Sequence, residues 1–306
     1  MVRPMAKIEA LRTPDTRFEG LPGFTFAPHY RDDLAGYEGL RVHYLDERPA
    51  KPATSMQTFL CIHGEPSWSY LFRKMIPVFT AGGHRAVAPD MFGFGRSDKP
   101  VEDSVYTFHF HRTMLMRFIE ALDLQNVTLV VQDWGGLLGL TLPMAFPDRI
   151  KRLLVMNTGL ATGQSPGPGF EAWRAFNRAN PDLDIAGLMK RATPILSDAE
   201  AEAYAAPFPD MRYKGGVRRF PELVMTSPDM EGVDVSLKAA KWLSSEWSGQ
   251  SFMAIGMQDP VLGPPAMQQL RRLIKGCPEP LEVAEAGHFV QEWGEPIARA
   301  ALHAFT

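Results

Sequence analysis

Val130-Val131-Gln132-Asp133-Trp134-Gly135-Gly136 is the stretch on which the reading of this chain turns. An apolar run beginning at Val127 ends on Gln132 and Asp133, and a glycine-bearing apolar helix pattern follows at once. That order describes a strand, a sharp turn and a helix, with the turn residue carried to the end of a sheet. Turns of this kind often present a serine for nucleophilic attack. Here the turn residue is Asp133. A carboxylate is already ionised at neutral pH and can displace a leaving group from saturated carbon. Aspartate is also a favoured helix N-cap, so Asp133 alone does not decide between a nucleophile and a cap.

The composition places the chain among ordinary globular proteins. It has 306 residues, 45% hydrophobic and 22% charged, enough for one large domain with an insertion or for two domains. A net charge of −3 gives no general attraction to nucleic acid or anionic membrane. The two cysteines, Cys61 and Cys277, form neither a disulfide framework nor a zinc spacing, and Cys61 lies in an apolar run as a small hydrophobe. Met1 to Phe18 scatters charged residues without the apolar core of a signal peptide, and no stretch is long enough to span a membrane. A cytoplasmic protein is the expectation.

Strand-like runs at 41–46, 57–62, 85–89, 127–132, 152–157, 251–256 and 281–284 alternate with helix-like patterns at 68–79, 106–122, 135–145, 237–247, 264–274 and 296–305. Such alternation predicts an α/β fold with a mostly parallel sheet covered by helices on both faces. It breaks after Asn157. The chain then becomes rich in Gly, Pro, Ser and Thr up to Gly169, and short helical patches follow at 186–191, 198–205 and 215–225. Residues 159–228 read as a helical cap inserted into a core made of 1–158 and 229–306. A cap above the strand ends lies over the ligand site of an open α/β sheet.

Three further motifs sit where chemistry on such a sheet requires them. His63-Gly64-Glu65-Pro66 follows one strand and can aim the backbone N–H of Glu65 at the site, opposite the N–H of Trp134, as an oxyanion hole. The Glu65 side chain itself reads equally as a solvated loop carboxylate. Met257-Gln258-Asp259-Pro260 follows the penultimate strand and can supply an acid. Ala286-Gly287-His288-Phe289 follows the last and can supply a base that this acid orients. The order Asp133, Asp259, His288 is that of nucleophile, acid and base. His109 and His111 read as ordinary helix-start residues rather than metal ligands. Gly93-Phe94-Gly95 lacks the remainder of a dinucleotide fingerprint and reads as a turn.

His63 to Tyr70, Pro89 to Pro100, Val131 to Gly136 and Gly287 to Glu292 together resemble the haloalkane dehalogenases, nearest the Xanthobacter-type subfamily that acts on small chloroalkanes. The resemblance runs from about Arg12 to the C-terminus. It implies an α/β-hydrolase fold, Asp133 as nucleophile, His288 as base and Asp259 as acid. It also implies a halide site made by the indole N–H groups of Trp134 and of Trp173, which sits in the match Phe170-Glu171-Ala172-Trp173, with Phe170 lining the same pocket. The other tryptophans, Trp68, Trp242, Trp247 and Trp293, read as packing.

The implied reaction converts a small halogenated aliphatic substrate and water to an alcohol, a halide ion and a proton through an alkyl ester on Asp133. It calls for no cofactor and no metal. Phe170, Trp173 and an apolar cap predict a small, dry pocket for short terminal halides of two to four carbons, in a monomer with no nucleic-acid or membrane partner. An epoxide hydrolase shares the Asp–His–Asp chemistry but needs acidic cap hydroxyls, for which Tyr204 and Tyr213 are available. A non-catalytic ligand receptor on the same scaffold is the remaining alternative.

Overall fold

The computed structural model describes residues 8–305. Residues 1–7, part of the Met1 to Phe18 stretch read above for a signal peptide, and Thr306 lie outside them. The main sheet has eight strands: β1 (His29–Arg31), β2 (Val42–Glu47), β3 (Thr58–Ile62), β4 (Arg85–Pro89), β5 (Val127–Val131), β6 (Ile150–Met156), β7 (Gln250–Gly256) and β8 (Leu281–Val283). Their order across the sheet is β8-β7-β6-β5-β3-β4-β2-β1, parallel from β8 to β4, with β2 antiparallel to both β4 and β1. This is the α/β hydrolase fold. Every residue of β3, β4 and β5 is buried, as unbroken apolar runs must be when helices cover both faces.

The registers bring the strand ends together. Ile62 pairs with Val131, Val131 with Val155, Met156 with Ala254, and Gly256 with Val283. The loops after β3, β5, β6, β7 and β8 therefore emerge side by side at the C-terminal edge, where open α/β sheets bind ligands.

Helices α1 (Ile76–Ala81), α2 (Phe108–Ala121) and α3 (Trp134–Gly139) follow β3, β4 and β5. The helix expected at 68–79 is divided into a 3-10 turn, Ser69–Phe72, and α1. The one expected at 135–145 ends at Gly139, short of Pro143, which has no N–H to continue the ladder. Edge strand β1 and an antiparallel ribbon pairing Ala10–Leu11 with Lys99–Pro100 carry too few residues to show an alternating pattern.

Between β6 and α8 (Val233–Ser245) come four α-helices, one 3-10 turn (Met211–Tyr213) and no strand of the main sheet: α4 (Pro168–Ala179), α5 (Ile185–Ala192), α6 (Asp198–Ala205) and α7 (Gly215–Leu223). α4 is longer than anything expected there, because Gly167 and Pro168 open a helix rather than extend the loop. Ser197 and Glu200 close a capping box on α6. That helix is tied to the core by Trp68 Nε1, which donates to the Ala203 carbonyl at 3.2 Å. Arg73 adds two bonds to Glu292, at 2.6 and 2.8 Å, and one to Glu200 at 2.8 Å. The Tyr204 hydroxyl, fully buried, also donates to Glu292. A buried ion pair this fully hydrogen-bonded costs several kcal/mol to break by removing one partner. Helices α9 (Pro264–Leu273) and α10 (Gly294–Ala304) complete the chain, and no described helix is long and apolar enough to cross a membrane.

Candidate active site

Asp133 occupies the turn between β5 and α3 with φ 49° and ψ −127°. A non-glycine residue in such a conformation carries on the order of 1–3 kcal/mol of strain, which the surroundings must hold in place. They do so through the backbone. The Asp133 N–H donates to the Asn157 carbonyl at 3.0 Å, and the Asp133 carbonyl accepts from Thr158 Oγ1 at 2.6 Å. The glycines that follow let α3 lie directly on the strand ends. A Cβ on Gly135 would fall 2.0 Å from the Ile62 carbonyl oxygen, and one on Gly136 1.9 Å from Thr158 Oγ1.

The loop after β3 meets the other side of the carboxylate. Glu65 N–H donates to Asp133 Oδ1 at 2.8 Å, and Gly64 lies so close that a Cβ there would be 2.3 Å from the same oxygen. His63 braces this loop: Nε2 accepts from the Met91 N–H at 3.0 Å and Nδ1 bonds the Gly64 carbonyl at 2.8 Å. Burial pushes the His63 pKa down, so the ring serves this structural bond in its neutral form. The Glu65 side chain is buried, not solvated. Burial first, and the charge of Asp133 second, push its carboxyl well above the usual range.

His288 Nε2 lies 3.5 Å from Asp133 Oδ2, and its Nδ1 is 2.8 Å from Asp259 Oδ2. Asp259 is held in turn by Asn157 Nδ2 at 3.0 Å and by the N–H groups of Val261 and Leu262 at 2.9 and 3.1 Å. Burial alone would raise Asp259, but His288, Asn157 and these backbone donors keep it well below the ordinary carboxylate range. Burial likewise opposes charge on His288. The two aspartates outweigh it, Asp259 most, and push the imidazole up to about 10.

A cleft of about 940 Å³ opens above these groups and is lined by Glu65, Asp133, Trp134, Phe170, Trp173, Asp259 and His288. Every site residue expected from sequence thus faces one space. The indole of Trp134 packs on Phe220 of α7, with ring centroids 4.7 Å apart. Trp68 and Trp247 give their N–H groups to Ala203 O and Ser251 Oγ, whereas those of Trp134 and Trp173 meet no protein acceptor among the described residues. The cleft is larger than the small pocket expected from Phe170 and Trp173. The loop from Gly159 to Pro166 and helix α9 contribute wall as well, including Gln164 and Gln269.

Tyr204 is spent on Glu292, and neither it nor Tyr213 lines the cleft, so the acidic hydroxyls an epoxide hydrolase needs are not at this site. His111 lies in the first turn of α2, as expected, but is not an ordinary residue there. It is fully buried against Phe220, with ring centroids 4.7 Å apart and both ring nitrogens unpartnered. No cluster of potential metal ligands occurs among the described residues. Sequence reasoning overlooked Asn157, Thr158 and Gln132. Their one signal was a polar residue placed at the end of an apolar strand.

The α/β hydrolase fold family matches residues 57–295. A haloalkane dehalogenase of Psychrobacter cryohalolentis is 44% identical over 300 residues, covering 95% of this chain and 96% of that protein. Haloalkane dehalogenase 1 of Mycobacterium tuberculosis is 44% identical over 294 residues, covering 93% of this chain and 94% of that one. Among solved structures, the haloalkane dehalogenase DpaA of Paraglaciecola agarilytica NO2, described as tetrameric, superimposes with a TM-score of 0.94 at 56% identity, covering 98% of this chain and 99% of its own. An aspartate strained at the end of β5, a histidine–aspartate pair facing it and this likeness over nearly the whole length converge: the chain belongs to the haloalkane dehalogenases of the α/β hydrolase fold.

Proposed function

We propose that Asp133, His288 and Asp259 carry the hydrolysis of carbon–halogen bonds in two steps beneath a cap domain formed by residues 159–228. In the first, Asp133 Oδ2 attacks the carbon bearing the halogen, the carbon–halogen bond breaks, and an alkyl ester forms on the enzyme. Oδ1 is already engaged by the Glu65 N–H at 2.8 Å, which leaves Oδ2 as the attacking oxygen. The departing halide takes hydrogen bonds from the indole N–H groups of Trp134 and Trp173, which can only donate. Each bond to a charged partner contributes about 1.5–3 kcal/mol, so the pair accounts for about 10²–10⁴ in rate when realised mainly in the transition state.

In the second step water attacks Cγ of the ester while His288 Nε2 takes its proton. The oxyanion is held by the N–H groups of Glu65 and Trp134, the latter at the first turn of α3, where helical N–H groups have no intrahelical acceptor. Collapse releases the alcohol and restores the Asp133 carboxylate. Esterification also removes the Asp133 charge that favours the imidazolium, so His288 is most able to act as base when base is needed.

The observation that carries this reading is the position of Asp133, with Glu65 N–H on one oxygen and His288 Nε2 facing the other. Halide release from 1,2-dibromoethane and 1-bromobutane, run beside an epoxide, tests the activity. Intact-mass spectrometry tests the residues: His288→Gln should accumulate a covalent alkyl adduct and Asp133→Ala should take none. A His288→Gln protein that remains folded and shows no adduct removes His288 from the role of base.

Phe170 lines the halide end of the cleft, while its greater volume favours terminal haloalkanes longer than the four carbons expected from sequence. The two free cysteines, one buried, suit a reducing cytoplasm. A tetrameric relative at 56% identity supports self-association over the monomer expected from sequence. Light scattering decides it, because a mass of one chain returns the monomer.

A further inference from the structure

Gln132 immediately precedes Asp133, and its side chain is fully buried. The amide nitrogen lies 3.1 Å from the backbone carbonyl oxygen of His288 and 2.9 Å from Nε2 of the same residue. A carbonyl oxygen only accepts, so the amide group facing it is the NH2 and not Oε1. An NH2 group has two hydrogens. With one on the carbonyl, the other is free for Nε2. Two donors cannot share a contact of 2.9 Å, so this arrangement suits the ring that carries its proton on Nδ1, toward Asp259, and a lone pair on Nε2. Oε1 of Gln132 is buried and has no partner among the described residues, so the bonds to His288 are what orient the amide.

We propose that Gln132 is a positioning residue for the dehalogenase reaction: its amide holds the rotation of the His288 ring and, by donating to Nε2, favours the neutral imidazole over the imidazolium. The inference rests on the reading of His288 as base. The groups facing the ring define what Gln132 works against. Asp259 at Nδ1 and Asp133 Oδ2, 3.5 Å from Nε2, both favour the charged ring. Glu65 lines the same cleft, its carboxyl pushed well above the usual range by burial. Phe289 stands edge-on at 4.9 Å. From the inserted helices, the Ala192 carbonyl packs on Gly287, where a Cβ would be 3.1 Å from it. Arg191 and Glu285 line the cleft without a hydrogen bond or ion pair to the ring. Gln132 is thus the group that counters two carboxylates. During ester hydrolysis the attacking water takes the lone pair of Nε2, while the amide keeps its bond to the His288 carbonyl.

The test is the pH dependence of alkyl-ester hydrolysis, measured in single turnover with 1-bromobutane by rapid quench and intact mass. Wild type is compared with Gln132→Met, which keeps length without a donor, and Gln132→Glu, which places an acceptor there. The inflection should move to higher pH in the order Gln, Met, Glu. Hydrolysis at pH 7.5 should slow about tenfold for each unit of that movement. Alkylation of Asp133 should change far less. A shared inflection in folded variants overturns the proposal. A direct reading of the ring is ¹⁵N NMR: His288 should titrate at higher pH in Gln132→Met than in wild type. An unchanged ring titration in folded Gln132→Met also overturns it. Loss of the His288→Gln adduct would instead strike the reading of the base, so the two failures are distinct.

Discussion

Asn157 ties the acid to the nucleophile: its side-chain amide donates to Asp259 Oδ2 at 3.0 Å while its own carbonyl accepts the N–H of Asp133 at 3.0 Å. The same side chain exchanges two bonds with Gly256, at 2.7 and 3.1 Å, so it also locks the end of β6 to the end of β7. Removing it as Asn157→Ala leaves buried groups unpaired and should destabilise the fold by about 1–3 kcal/mol. A loosened Asp259 no longer holds the His288 ring in its reacting tautomer and rotation, and about 1.4 kcal/mol lost there is tenfold in rate. Denaturant melts should show the first effect. Single-turnover kinetics should show ester hydrolysis slowed more than alkylation, and an equal effect on both steps would count against this role.

The charge on His288 sets a dependence on pH whose sign is determined by its direction of shift. Asp259 and Asp133 push its pKa up to about 10, above the unfolded value of about 6.5. The stability contributed by this ring is fully present below the unfolded value and is lost as pH rises through about 10. Wild type should therefore exceed His288→Gln in stability at neutral pH by more than it does in alkaline solution. Turnover should run the other way and increase with pH, because hydrolysis uses the neutral ring. Parallel stability curves for the two proteins would refute the linkage.

His111 represents the opposite case. Burial pushes its pKa down to about 3, and both nitrogens lack partners. Below about 6.5 the unfolded chain takes up a proton that the native protein refuses until about pH 3, so stability falls on acidification by up to about 1.4 kcal/mol per pH unit. His111→Leu removes both the unpaired nitrogens and this proton. It should stabilise the protein by about 1 kcal/mol at pH 7, and by more as pH falls. Melts at pH 7 and pH 5 check it.

The two proposed halide donors are separable by mutation. Trp134 belongs to α3 and Trp173 to α4, so Trp173→Phe removes one donor and leaves the elbow intact. Bromide binding, followed by quenching of tryptophan fluorescence, should weaken by about 10–100-fold, with carbon–halogen cleavage slowed to match. Wild-type affinity in this variant would mean that another group receives the halide.

Chain length follows the cleft. At about 940 Å³ it exceeds what a four-carbon halide fills, and its walls include Leu160, Val261 and Leu270. Each further buried methylene contributes about 0.8 kcal/mol, so kcat/KM for 1-bromohexane, two methylenes longer, should exceed that for 1-bromobutane by up to about 15-fold. A clear preference for the butyl halide would show that the outer cleft does not receive the alkyl chain.

Local pattern was enough to identify the α/β fold and to mark the ends of its core strands. The apolar run before Asp133 is buried throughout and has one reading, while Asp259 and His288 follow strands whose buried share is smaller. Gly135 and Gly136 were visible as glycines, but only the structure gives their reason, the carbonyl of Ile62 and the hydroxyl of Thr158 lying where side chains would stand. Asn157, Gln132 and His111 were invisible as functional or strained residues, because what distinguishes each is a partner, or the want of one, far away in the chain. The volume of the cleft and the burial of Tyr204 and Glu65 depend on how four inserted helices rest on the sheet. Residue order and periodicity act over a turn or a strand, and so the sequence by itself determined the class of fold and which polar residues stand as candidates at the strand ends. Pocket size, proton positions and second partners are set by contacts between residues tens to hundreds of positions apart, and those only the tertiary structure decided.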